Sequence, residues 1–277
     1  MKNIYILFSL ILLFSACEEK MVVIPIYDPP TTGKIVLVEE LTGVRCPNCP
    51  AGSARLASIL QEDFPDNMVV IGIHGTDLTK PLPESKYDFR NDDAIDLENF
   101  LKPYLGKPAA YFNRVYNDEL GGDWGNSFNG QWLGYIRTEV EKPQVIELSI
   151  TKSYDPATRL LEITVGALPL ENLDGQFKLS IMLTESEIID AQDDQNTVIE
   201  DYIHNHVLRD IITNFDGDAF ASSLEINKVV TKKYTYTIPG DEDGLWNDEH
   251  VEVVAFIANT EGESEEVLQA IQTHLRD

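Results

Sequence analysis

Lys34-Ile35-Val36-Leu37-Val38-Glu39-Glu40-Leu41-Thr42-Gly43-Val44-Arg45-Cys46-Pro47-Asn48-Cys49-Pro50 opens as an apolar, β-rich run and closes on a Cys-x-x-Cys pair. The run from Lys34 to Leu41 predicts a short buried strand, and Thr42 to Pro50 a loop. After it, Ala51 to Phe64 carries apolar residues at Leu56, Ile59, Leu60 and Phe64, which is helical spacing. Met68-Val69-Val70-Ile71-Gly72-Ile73-His74-Gly75 then predicts a second buried strand. Strand, helix and strand with continuous apolar runs imply a parallel βαβ unit with helices on both faces of its sheet.

Working toward the C-terminus, residues 76–105 are polar, with Ala94 to Leu105 the best helical stretch. Gly106-Lys107-Pro108-Ala109-Ala110-Tyr111-Phe112-Asn113-Arg114 reads as a return to the sheet. Trp124 to Lys142 predicts a loop entering a helix with Phe128, Trp132, Leu133, Ile136 and Val140 on one face, stopped by Pro143. An α/β domain over 34–142 follows. Beyond it the period changes to two: Ile146, Leu148 and Ile150, then Leu161, Ile163 and Val165, then Phe177, Leu179, Ile181 and Leu183. Tyr234, Tyr236 and Ile238 and the run Val251 to Ile257 extend the series. Several strands with turn signals predict an all-β second domain over 144–277, an antiparallel β-sandwich of immunoglobulin-like type. Residues 184–228 break the rhythm and read as a long loop or short-helix insertion, and Glu265 to Leu275 as a short helix.

Toward the N-terminus, residues 18–33 read as a tether stiffened by Pro29 and Pro30. Met1 to Asn3 is a basic start and Ile4 to Phe14 an apolar run, too short for the ~20 residues that a spanning helix needs but suited to a signal peptide over 1–16. The run ends Ser15-Ala16-Cys17 before Glu18-Glu19, which resembles a bacterial lipobox and predicts lipidation of Cys17. The protein would then be anchored to a membrane through lipid alone. Acidic residues outnumber basic ones 47 to 21 in the 277-residue chain, a net charge of −26. Such a surface repels phosphate backbones and anionic lipid, which excludes simple electrostatic binding to nucleic acid.

With Cys17 assigned to lipid, Cys46 and Cys49 remain of three cysteines. Three uses compete for them. Zinc needs about four ligands, and His74 is the one histidine of the first domain. A structural disulfide closing so short a loop removes little unfolded-state entropy. Redox exchange suits the context, a strand, the pair and then a helix in an exported chain. At a helix N-terminus the dipole and free N–H groups favour a thiolate at Cys46, with Arg45 adding to that, and Cys49 one turn on resolves the mixed disulfide.

On these residues, 34–142 resembles a thioredoxin-like domain, with Cys46-Pro47-Asn48-Cys49 at its active-site position. The resemblance implies a disulfide between Cys46 and Cys49, a buried acid at Glu40 that accepts a proton from Cys49, and a cis proline at Pro108. It also implies that Lys107, Pro108 and Ala109 offer backbone to an extended substrate segment. Arg45 replaces the tryptophan common before the first cysteine, and Lys107 stands where a small or β-branched residue is usual. The run Glu39 to Gly52 and His204-Asn205-His206-Val207-Leu208-Arg209 further resemble the outer-membrane-protein-28-related lipoproteins of Gram-negative bacteria. That implies an outer-membrane, lipid-anchored protein on the periplasmic face or cell surface. The acidic residues after Cys17 are similar to a surface-export signal. The thiols or disulfides of exported proteins are the expected partners, and no cofactor or metal is expected.

Strand alternation allows one of Glu39 and Glu40 to face inward, and the spacing to Cys46 favours Glu40. His204 and His206, two apart with Asp201 and Asp210 near, suit a metal if both lie on one strand face. Without a third ligand fixed by spacing, a structural role is the better reading. The stretches Asp216-Gly217-Asp218 and Asp241-Glu242-Asp243-Gly244 lack a full calcium loop and read as solvated turns. No nucleophile elbow, phosphate loop or His-Glu-x-x-His is present. The competing function is a non-enzymatic surface binding or adhesion lipoprotein whose cysteines only staple a loop.

Overall fold

A computed structural model of the chain describes residues 33–101, 103–116, 125–195, 197–240, 245–262 and 265–276. The signal peptide, Cys17, residues 17–32 of the tether and the acidic turn at 241–244 lie outside the described residues. Among those described, no helix is long and apolar enough to cross a membrane.

β1 (Val36–Leu41), α1 (Cys49–Ser58) and β2 (Met68–Ile73) form the expected unit, with β1 and β2 parallel. Pro50 sits in the first turn of α1, where its missing N–H costs nothing, and a π-helical turn at Ile59–Asp63 ends the helix. α2 (Asp92–Leu101) starts where the Asn91 side chain accepts the Ala94 N–H at 2.7 Å. β3 (Ala109–Phe112) runs antiparallel to β1, and α3 (Trp132–Val140) follows it. One face of these strands packs Leu37, Val69, Ile71 and Tyr111 against α2 residues Ala94, Leu97 and Leu101. The other packs Val36, Val38, Val70 and Phe112 against Leu56 and Ile59 and against Trp132 and Ile136 of α3.

The β-rich half contains β4 (Ile146–Asp155), β5 (Leu160–Pro169), β6 (Leu173–Glu185), β11 (Val230–Thr237), β12 (Val251–Asn259) and β13 (Glu266–His274). The three-stranded sheet β11-β5-β4 packs Leu148, Ile163 and Val165 against Leu179, Ile181, Leu183, Val253 and Ala255 of β6 and β12. Met182, Val254 and Phe256, on the opposite faces of β6 and β12, join the α2-side core. These two strands are thus buried on both sides.

Two expectations fail here. Residues 184–228 are not loop or helix: they hold β7 (Ile188–Asp194), β8 (Thr197–His204), β9 (Val207–Ile211) and β10 (Asp218–Leu224). β7 and β8 form a separate hairpin, and β9 pairs with β6 on one side and, through Gly72↔Val207, with β2 on the other. The main sheet therefore runs β13-β12-β6-β9-β2-β1-β3 through both halves of the sequence. The C-terminal segment expected as a helix is β13. Leu268, Ile271 and Leu275 mimic helical spacing, but β13 buries Val267, Gln269 and Ala270 around a register shift against β12.

Glu39 and Glu40 are both buried, although one was expected to face solvent. β1 is paired on both edges and covered on both faces, so alternation sends the two carboxylates into opposite cores. Glu39 meets the Arg114 guanidinium through two hydrogen bonds, Nε–Oε2 at 2.8 Å and Nη2–Oε1 at 2.6 Å. Arg114 also lies over the rings of Phe100 and Phe256, 5.4 and 4.9 Å from their centroids. Beside it, Asn113 accepts the Leu37 N–H, donates to Glu139 of α3 and, through its carbonyl, accepts the Val267 N–H of β13. Arg114→Met should lower stability by about 3–5 kcal/mol in urea unfolding, because it strands a buried carboxylate. Glu39→Met with Arg114→Met should recover most of the loss.

Candidate active site

β1 delivers Glu40 to the edge of a loop, Thr42 to Asn48, that leads into α1. Cys46 donates its N–H to Gly43, and the Cys49 N–H, at the helix start, donates back to the Cys46 carbonyl at 3.1 Å. The two cysteines are joined as a disulfide with Cα atoms 5.3 Å apart. The Lys107–Pro108 peptide bond is cis. Pro108 reaches the second turn of α1, where a Cβ on Gly52 would lie 2.8 Å from the Pro108 Cβ and 3.2 Å from Glu40 Oε1. Gly52 is the residue that sequence reading did not single out as functional. A glycine inside a helix, costly by about 1 kcal/mol, was its signal.

Glu40 accepts the Ser53 hydroxyl, 3.0 and 3.2 Å from its two oxygens. Burial pushes its carboxyl up to about 7, and the Ser53 hydrogen bond opposes that only partly. It lines a cavity of about 600 Å³ together with Cys49, Ser53, His74, Tyr202 and His204. Burial drives His204 down to about 4 and His74 well below the ordinary imidazole range, the latter with help from His204, Lys107 and Arg209. Both rings contact Phe89, and neither His74 Nδ1 nor His204 Nε2 has a protein hydrogen-bond partner. His206 lies past the end of β8 with φ 56° and faces Glu252 at 3.7 Å, so the two histidines expected on one strand face do not converge. Asp216 and Asp218 are engaged by Lys178 and by Asn214, Lys232 and Tyr234. Among the described residues, no three His, Cys, Asp or Glu side chains are grouped to hold a metal.

Lys107 turns its side chain inward, pairing with buried Glu98 at 2.9 Å and donating to the carbonyls of Thr42 and Asp77. Glu98 also accepts from Thr76 and Tyr104. Burial works against its charge, but Lys107 and these donors hold the carboxyl below its usual range. Arg45, expected to assist a thiolate, donates instead to the carbonyls of Lys80 and Pro81. Ala109 is buried in β3 opposite Leu41.

The cysteines are covered. Cys46 and Cys49 are each 1% exposed. The β7–β8 hairpin lies against them: Gln192 Nε2 donates to the carbonyls of Gly43 and Cys46, 3.2 Å each, and the Asp193 N–H to the Val44 carbonyl at 2.8 Å. The Tyr202 hydroxyl is raised first by burial, then by the neighbouring Glu40.

The family model described as Outer membrane protein Omp28 matches residues 103–276, more than half of the chain. The chain belongs to the Omp28 family of outer membrane proteins. Its location is the outer membrane. The matched residues include Lys107 and Pro108 and the covering hairpin, and leave the cysteine pair outside. No curated protein matches the sequence. Among solved structures, HBP35 of Porphyromonas gingivalis has a similar fold, with a TM-score of 0.66 and 14% identity over 88% of this chain and 76% of that one. A domain of the outer membrane lipoprotein Omp28 from the same organism is 21% identical over 47% of this chain and 86% of its own, with a TM-score of 0.32.

The raised Glu40 sets a pH dependence. Its carboxyl holds a proton in the folded protein up to about 7 but releases it near 4.5 once unfolded. The folded state thus binds more protons between those values, and its stability falls as pH rises through them. Glu40→Gln removes that loss. It should stabilise the protein at pH 8 by up to about 3 kcal/mol relative to its effect at pH 4, read from urea unfolding at both values.

Proposed function

We propose that the protein is a thiol–disulfide exchange lipoprotein, held to the outer membrane by lipid on Cys17, with a thioredoxin-like head and an immunoglobulin-like sandwich. The observation that carries the reading is the convergence of the Cys46–Cys49 disulfide, cis Pro108 and protonatable Glu40 around Gly52 of α1. In the oxidised state a client thiolate attacks the Cys46 sulfur, and the Cys46–Cys49 bond breaks to release a thiolate at Cys49. Glu40, sharing a cavity wall with Cys49, supplies a proton there. A second client thiolate then attacks the client sulfur of the mixed disulfide and releases Cys46. Two electrons leave the client, which gains a disulfide, and the protein's pair ends reduced. The reverse sequence reduces a client: the Cys46 thiolate attacks, and Cys49 resolves as it gives its proton to Glu40. The clients are thiols or disulfides of exported proteins.

A second reading rests on the burial of both cysteines: the pair staples a loop in a surface binding protein. Reduced Cys49→Ala protein mixed with insulin separates the two. Exchange predicts a covalent adduct through Cys46, seen by mass spectrometry, and none with Cys46→Ala. A folded Cys49→Ala protein that forms no adduct after prolonged incubation favours the staple.

A further inference from the structure

The hairpin that covers the cysteines has the form of a separate body on a neck. It leaves the sheet after β6 and returns before β9 through two residues in the left-handed region, Glu187 at φ 59° and His206 at φ 56°. Neither is glycine, and such residues are uncommon outside specific turns. The neck is tied across itself: the Glu187 N–H donates to Asn205 Oδ1 at 3.1 Å, and the His206 N–H to Ser186 Oγ at 3.0 Å. Beyond it, β7 and β8 pair with each other and not with the main sheet.

The contacts of this body with the site are polar and specific. Asp193 pairs with Val198 inside the hairpin, yet its N–H points outward to the Val44 carbonyl, main chain to main chain. An extended client segment laid on the cysteine loop would make the same kind of bond. Gln192 bridges the Gly43 and Cys46 carbonyls, and Tyr202 of β8 lies against Glu40 and Ser53. Near the neck, the buried Asp190 carboxylate accepts the N–H groups of Lys86 and Tyr87 at 2.8 and 3.0 Å. The base of the hairpin is packed, with Ile188 in a buried cluster with Val44, Phe89 and Val207 and His204 against Phe89, while the part over the cysteine loop is held by replaceable hydrogen bonds, which open at lower cost than apolar core.

We infer that the β7–β8 hairpin is a hinged lid that occupies the client groove of the Cys46–Cys49 pair, so that sulfur exchange requires the hairpin to swing away or be displaced by an extended segment of the client. The inference builds on the exchange reading above, which it supplies with a gate.

The test measures the rate at which a small water-soluble phosphine reduces the disulfide in the full-length protein, followed by maleimide labelling. Wild type is compared with Gln192→Ala, Asp193→Pro and Arg45→Ala. Proline at 193 removes the outward N–H and leaves the β7–β8 ladder its bonds. Arg45→Ala unties the opposite flank, at Lys80 and Pro81. The lid predicts reduction at least fivefold faster in Gln192→Ala and in Asp193→Pro and close to wild type in Arg45→Ala, with far-ultraviolet circular dichroism unchanged. If proline unfolds the protein, the alanine variant decides alone. Equal rates throughout, or a rise confined to Arg45→Ala, overturns the lid. The phosphine needs only to reach sulfur, so this outcome is independent of client chemistry. Fast reduction in the hairpin variants without an insulin adduct in the Cys49→Ala background would keep the lid and remove the exchange reading.

Discussion

The strand β1 is enclosed on all sides, and the rest of the molecule is arranged around that constraint. Neighbours pair with it on both edges, and helices cover both faces. A polar side chain there has nowhere to meet bulk water, so each must find a partner or give up its charge. Glu39 takes the first course, with Arg114, and Glu40 leans to the second, its proton affinity raised by burial that the Ser53 hydroxyl only partly offsets. The identical chemistry of adjacent residues thus diverges because alternation sends them into different surroundings. One ties the sheet to the segment after β3, and the other lines a cavity together with Cys49.

The same enclosure joins the two halves of the chain. Asn113 reaches β1, α3 and β13 at once, and Gln269 of β13 accepts the Ile35 N–H while donating to the Gly33 carbonyl. β9 completes the junction by sitting between β2 and β6. With contacts of this kind the β-rich half is a structural wall of the site, and the hairpin that covers Cys46 comes from it.

Much of the first half was legible because its signals are local. Continuous apolar runs gave β1 and β2, helical spacing gave α1 and α3, and the Cys-x-x-Cys pair was placed at a strand-to-helix turn, where it lies. The cis bond before Pro108 was legible through resemblance alone. What could not be read is polarity buried by distant partners. Asp190 and Gln192 look like loop residues, yet their hydrogen bonds to Lys86, Tyr87, Gly43 and Cys46 span about a hundred residues or more and make them interior strand positions. Arg45 shows the same limit from the other side. Its charge was assigned to the site by nearness in sequence, and the carbonyls of Lys80 and Pro81 claim it.

Enclosure also links the acid to the covering hairpin. Burial raises Glu40, and Tyr202 of β8, itself under the influence of the Glu40 charge, lines the same cavity. Whatever admits water to Cys46 therefore also hydrates the Glu40 carboxyl and brings its proton affinity back toward that of an ordinary glutamate. A covered disulfide and a glutamate of raised proton affinity are two consequences of one burial. The exposed pair would have beside it an acid readier to release its proton, and the Cys49 thiolate is the base that forms when the disulfide opens. Proton and sulfur are in this way coupled through solvent access, without a direct bond between Glu40 and Cys49.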